Sequence, residues 1–340
     1  MNNKVLQEIN LLCNLVFNQN CTRLSFLLPD FLKKYRFDGD RYSMREIYLL
    51  IRQKILTMPS YENIKLDNIN IKKMKKVPRE FEKIIKIYNN NEFFDYIIHG
   101  SYADNTYTKA SDIDDLVIIK KEAFENYYNF KRVYKILKKT NLLYQNVDPV
   151  QHHGHWLVTE FDLLDYDNSI IPIFVLAKNS VSLGRNVSIN YNLVENSKGF
   201  KDIFCIILDE LELESKKLFI NKINIFSLKN LLSAVTLLFP LYYQTKGLNL
   251  DKKEAIKKAK EEFSKEELKL LEWSTDLRKN WISVKGYRIY FLVRMLNFIF
   301  RNRNLTVFLS KYFLPKIKIS ELPSVEKVYF EKFIYHMKFL

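Results

Sequence analysis

The stretch HGSYADNTYTKASDIDDLVII, His99 to Ile119, decides how this chain folds. It holds a Gly-Ser step, a turn rich in Asn, Thr and Ser, and two aspartates separated by one isoleucine, at the mouth of an apolar run. Side chains alternate faces along a strand, so Asp112 and Asp114 project to one side while Ile113 points into a core. Carboxylates held that close repel and shift each other's pKa, which is costly unless a cation neutralises them. A divalent metal ion is the obvious candidate. Gly100 lets the backbone approach a phosphate without a side-chain clash, and the Ser101 hydroxyl with adjacent amides can bond its oxygens.

Outward from this stretch, FFDYIIHG reads as an apolar strand stopping at Gly100 and DLVIIK as its returning partner, so a mixed sheet is expected. KEAFENYYNFKRVYKILKKTN has helical spacing, LLYQNV restores strand character, and DPVQHHGH interrupts it. WLV then forms a return strand, and Thr159 with Asp162 makes a capping-type start for FDLLDY. Upstream, the first 80 residues read as helical, with VLQEINLLCNLVF at helical spacing and a Ser43 and Glu46 capping box before IYLLIRQKIL. Pro78 suits the first turn of the helix REFEKIIKIYNN, and Lys72, Lys73, Lys75 and Lys76 just before it read as a solvated face. From about residue 201 every apolar run favours helix. The expected fold class is α+β: an N-terminal helical arm over 1–79, a mixed-sheet catalytic domain over 80–200 and a basic helical domain over 201–340.

The opening stretch closely resembles the signature of the nucleotidyltransferase superfamily typified by DNA polymerase beta. Members follow an apolar strand with Gly-Ser, a turn of about ten residues, and Asp-apolar-Asp entering the next strand; Gly100, Ser101, Asp112 and Asp114 fall on those positions. Ala103 matches a frequent small residue, and Ser111 the serine often found before the first aspartate. The resemblance covers about 20 residues directly and about 120 by element order. It implies that Asp112 and Asp114 hold two Mg²⁺ ions, Mn²⁺ being possible, which clamp an in-line displacement at the α-phosphorus of an NTP with loss of pyrophosphate.

Relatives often carry Arg-Gly where this chain has Asp104 and Asn105. Asparagine can replace glycine in a left-handed turn, but Asp104 puts an anion where a cation stood. Asp115 should face the other side of the strand, as a structural or surface acid. Active relatives supply a third carboxylate from a later strand; among Asp148, Glu160, Asp162 and Asp165, the expectation is Asp148, because it follows LLYQNV. His152, His153 and His155 invite a zinc site, but consecutive histidines point in opposite directions and no cysteine is near. Hydrogen bonding beside the carboxylates fits better, with Gln151, His152 or His153 touching nucleotide or acceptor; a purely structural turn is equally open. No Walker-type loop, nucleophile elbow or dinucleotide fingerprint is present, which disfavours P-loop hydrolysis, acyl transfer and hydride chemistry.

The composition suits this reading. The 340 residues are 47% hydrophobic with only 7 Gly and 8 Pro, so cores can form and long linkers are not expected. Three cysteines without zinc spacing suggest thiols in a reducing compartment, and no targeting segment is visible, so the expected location is cytoplasmic. YFLVRMLNFIFRNR is interrupted by Arg294 and too short to span a bilayer, so no membrane partner is expected.

A net charge of +15 favours an anionic partner. Residues 201–340 hold 26 Lys plus Arg against 16 Asp plus Glu, and 277–320 contains no acid at all. There Arg288, Arg294, Arg301 and Arg303 are interleaved with aromatics, a pattern that tracks phosphates and stacks bases, though core packing explains the aromatics as well. RNA or tRNA is therefore the expected acceptor. The rival acceptors are a small molecule of the antibiotic type or a protein side chain, as in toxin-like relatives; a catalytically silent nucleic-acid-binding module is the rival from another class. Oligomeric state is not legible.

Overall fold

The computed structural model describes residues 4–17, 44–58, 65–88, 91–108, 111–148, 150–151, 153–169, 171–194, 197–280, 291–292, 295–296, 298–299 and 316–338. The chain opens with helices α1 (Lys4–Phe17) and α2 (Met44–Leu56), then strand β1 (Asp67–Ile71), helix α3 (Glu82–Tyr88), and strands β2 (Phe94–His99) and β3 (Asp114–Ile119). Helix α4 (Tyr127–Val147) crosses to β4 (Trp156–Thr159). Short elements follow: β5 (Tyr166–Asp167), α5 (Ile173–Lys178), β6 (Ser180–Ser182), β7 (Val187–Tyr191) and β8 (Leu193–Val194). Helices α6 (Ser197–Phe219), α7 (Ile225–Thr245), α8 (Lys252–Glu262), α9 (Lys265–Lys279) and α10 (Lys327–Lys338) complete it. The result is a mixed α/β domain followed by helices, as the sequence suggested.

The central sheet has the order β4-β3-β2-β6. β2 runs antiparallel to β3, with His99 opposite Asp114, and β4 runs parallel to β3, as a helical crossover requires. Alternation along the strands divides the core. Tyr96, Ile98, Val117, Ile119 and Leu157 face α1, α2 and α4, while Ile97, Leu116, Ile118 and Val158 pack with Leu176, Val187 and Ile189. Ile113 is fully buried on the first of these faces, as expected.

α1 and α2 share that core. Asn10 of α1 donates to the Leu157 carbonyl at 3.2 Å and to Asp162 at 3.0 Å, and Arg52 of α2 donates to the Phe124 carbonyl at 3.1 Å. The expectation of helix throughout residues 1–79 is corrected at 67–71, where DNINI forms β1, antiparallel to β7, and buries Ile71. Ser43 lies outside the described residues. LLYQNV is likewise helix, the last turns of α4: a short apolar run fits either period, and here the preceding helix continues through it. FDLLDY gives only a four-residue 3₁₀ turn, Asp162–Asp165, although the reciprocal bonds between Thr159 and Asp162 form as expected.

The third core belongs to α6–α10. Its axis is α7, which is long and apolar enough to cross a membrane, yet 78% of that window is buried inside the protein. A helix apolar on all sides is what a bundle places at its centre. Against that background Lys229, on α7 and 2% exposed, demands a partner.

Candidate active site

β2 and β3 place the site at the end of the sheet where the chain turns from one to the other. Gly100 takes φ +67°, a left-handed conformation, and a Cβ built there would lie 2.7 Å from Asp114 Oδ2. Glycine is therefore required twice, for its dihedral and for the room it leaves beside the carboxylate. The carbonyl of Gly100 accepts from the amides of Ala103 and Asp104 at 3.0 and 3.2 Å, so Ser101 lies in a closed turn. Asn105 sits at φ +58°, filling the left-handed position expected of it. Asp104 is paired with Lys253 of α8 at 2.9 Å, which answers the anion in the turn with a cation from the helical domain.

Three acids and two cations meet beside Gly100. His153 Nε2 lies 3.5 Å from Asp112 Oδ2 and 3.3 Å from Asp114 Oδ1, between the two aspartates. Lys229 reaches in from α7 and pairs with both Asp112 and Asp148. Burial opposes charge on His153, but the hydrogen bonds it donates to Asp112 and Asp114, with their charges, outweigh it and push the imidazole up to about 10. Burial would also raise Asp114, and the bond and charge of His153 instead hold it below the usual carboxylate range. Asp148 is pushed up to about 6 by burial, against the pull of Lys229. For Lys229 burial acts downward and the charges of Asp112 and Asp148 prevail, so its pKa is raised. At neutral pH the group is close to electrically balanced, which is how three acids can share a partly buried site.

A buried scaffold fixes the backbone that carries the pair. The Gln151 side chain accepts from the Ile113 amide and donates to the Ile113 carbonyl, both at 3.1 Å, bracing the residue between the two aspartates. Asp115 is fully buried on the opposite face, where it accepts from Tyr144 and the Trp156 amide and meets His155 Nδ1. The other nitrogen of that ring is 2.8 Å from Thr140 Oγ1. Asp115 is thus the structural acid anticipated, and its neighbours in the network are ones the sequence did not reveal.

The other anticipated residues have distinct fates. Ser111 is buried and its hydroxyl accepts from the Thr108 amide at 2.8 Å, closing the turn before Asp112. Asp148 is brought to Asp112, but at the C-cap of α4 rather than after a strand, and through an ammonium. His153 lies against the pair. His152, Arg288, Arg294, Arg301 and Arg303 lie outside the described residues. Gln151, considered as a nucleotide contact, spends both ends of its amide on Ile113. Lys229 was missed. Its signal was a single lysine inside the apolar run of α7, at a position that could only be buried.

A Gly-Ser turn under a left-handed glycine, closing on an Asp-Ile-Asp pair at the end of the two central strands of a mixed sheet, defines the class of domain. Residues 74–153 match the family model described as a nucleotidyltransferase domain, about a quarter of the chain and the part that carries Gly100, Asp112, Asp114 and His153. Over those residues the chain carries a nucleotidyltransferase domain. No curated protein and no solved structure matched the chain.

Proposed function

We propose that this chain is a metal-dependent nucleotidyltransferase that moves an NMP from an NTP to an acceptor hydroxyl and releases pyrophosphate. The observation that carries this is the convergence of Asp112 and Asp114 on one cation, His153, beside the open Cα of Gly100. Magnesium is commonly held by one or two carboxylates together with substrate phosphates, and this pair supplies that donor set. Among the described residues no three acidic, His or Cys side chains form a cage of their own, so substrate oxygens and water would complete the shell. Asp148 braces Asp112 through Lys229. When bound, magnesium supplies charge neutralisation for the polyphosphate and acidifies the acceptor hydroxyl. The protein's share is to hold the two carboxylates in register, present the Gly100–Ser101 turn to a phosphate, and balance the charge with His153 until a ligand arrives.

Trp156 starts β4 opposite Leu116, is 44% exposed, and has its ring 6.4 Å from that of His153. It offers a flat apolar face beside the pair for a nucleobase. Trp156→Ala is expected to raise the KM for NTP about tenfold, given the ~1–3 kcal/mol of a base–aromatic stack, with little change in kcat. Steady-state kinetics at saturating acceptor checks this; an unchanged KM removes Trp156 from the site.

The acceptor reading is RNA, tRNA ends included, and its support is the acid-free basic and aromatic stretch 277–320. Charge reversal at Arg301 and Arg303 is expected to weaken RNA binding and flatten its dependence on salt. Filter binding across a salt series reads both. RNA affinity that ignores salt, or that survives the reversal, rules this acceptor out. The test of the whole proposal is incubation with each labelled NTP, Mg²⁺ or Mn²⁺, and total cellular RNA or protein, asking which fraction gains label.

A further inference from the structure

The acid pair has two sides, and they are not alike. On one, Asp112 Oδ2 and Asp114 Oδ1 face His153 at 3.5 and 3.3 Å, and the Asp114 side chain is partly exposed. On the other, Asp112 Oδ1 meets the ammonium of Lys229, which also pairs with Asp148 Oδ2. The second oxygen of Asp148 accepts from the Val150 amide at 3.1 Å. Both oxygens of the third acid are thus engaged within the protein. The resemblance implies two magnesium ions and a third carboxylate that joins the pair. The first side suits an ion; the second does not, because a cation already stands between Asp112 and Asp148.

The two protein cations differ in what they lose by leaving. His153 lies in the run between α4 and β4 and its side chain is partly exposed, so an incoming ion can turn it toward water. Lys229 is buried, as are Ile225, Phe226 and Leu232 one turn away on α7. Its ion-pair partners among the described residues are Asp112 and Asp148. An ion that took those two carboxylates would strand an ammonium in an apolar core, which is far costlier than leaving the pairs in place. The fixed charge of Lys229 also repels any divalent ion brought to Asp112 Oδ1.

We propose that the Lys229 ammonium holds the place of a second magnesium ion, so that the site takes a single divalent ion, on the side of Asp112 Oδ2 and Asp114. This rests on the nucleotidyl-transfer reading, since the one ion bound is the ion that accompanies the NTP. Asp148 is then the counter-ion of Lys229 and not a metal ligand. The helical domain, through α7, supplies from within the chain a positive charge that a two-ion site draws from solution.

The test is electron paramagnetic resonance of the full-length protein with Mn²⁺ and the α,β-methylene analogue of each NTP. Two ions sharing a two-metal site lie about 3.5–4 Å apart, close enough for their spins to couple. The wild type is expected to show one uncoupled Mn²⁺ per chain. Lys229→Met, which frees Asp112 and Asp148, is expected to gain a coupled pair, and Mn²⁺ should raise its melting temperature by several degrees more than that of the wild type. Adding Asp148→Asn should return the spectrum to one uncoupled ion. A coupled pair in the wild type, or a wild type that binds no Mn²⁺, overturns the proposal. So does a Lys229→Met protein that neither gains the coupled spectrum nor is stabilised or refolded by Mn²⁺. The two readings separate cleanly. If labelled transfer proceeds and the wild type shows a coupled pair, the single-ion site falls and transfer stands. If the wild type holds one ion and Lys229→Met two, but no acceptor fraction ever gains label, the single-ion site stands and transfer falls.

Discussion

Asp114→Asn is expected to cut nucleotide transfer by about a thousandfold or more while leaving the fold intact, since losing a metal ligand forfeits several kcal/mol of transition-state stabilisation. The substitution is isosteric and its side chain is 35% exposed, so packing is undisturbed. What changes is charge. His153 loses one of the two carboxylates that raise it to about 10, and its pKa falls. A histidine raised in the folded state gives stability that is complete below its unfolded value near 6.5 and lost as the pH climbs to about 10. The melting temperatures of wild type and variant should therefore differ most near pH 6 and converge above pH 10. Asp112→Asn should abolish transfer equally, with a further loss of stability because it strips Lys229 of a carboxylate. Label incorporation measured beside a melting curve checks both; undiminished turnover in Asp114→Asn refutes the assignment.

The parts of this site legible in the sequence are those whose chemistry is local. Gly100, Asn105 and the alternation of Asp112, Ile113 and Asp114 are set by backbone dihedrals and by a period of two, both of which operate over a few residues. Asp115 could be assigned to the opposite face by the same rule. The residues that balance the charge were hidden because they come from elsewhere in the chain. Lys229 is 117 positions beyond Asp112, and nothing near α7 records which carboxylate it will meet. His153 could be placed beside the acids but not between them, since the register of β4 depends on tertiary pairing. LLYQNV was misread for the opposite reason: six residues are too few to show a period, and helix α4 simply runs on through them. β1 was missed because its pairing partner, β7, is more than a hundred residues away.

Lys229→Met should destabilise the protein by about 3–5 kcal/mol near pH 8, the usual cost of removing one partner from a buried ion pair. Methionine follows the unbranched apolar stem of lysine and ends one atom short of it, so what is removed is chiefly the ammonium that Asp112 and Asp148 share. The two carboxylates then face each other without a cation, and Asp148, already pushed up to about 6 by burial, rises further. The sign of the pH dependence follows. An acid whose pKa is raised on folding holds its proton more tightly in the folded state, so stability is greatest at low pH and declines as the pH passes through the folded value. The defect in Lys229→Met should therefore be large at pH 8 and shrink toward pH 5, where Asp148 takes up a proton. Adding Asp148→Asn should recover much of the loss at pH 8, because the amide needs no counter-charge. Denaturant melts of the wild type and the two variants at both pH values read this directly. A Lys229→Met protein as stable as wild type at pH 8 would show that the contact between α7 and the acid pair contributes nothing, and the link from the helical domain to the site would have to be sought at Asp104 and Lys253 instead.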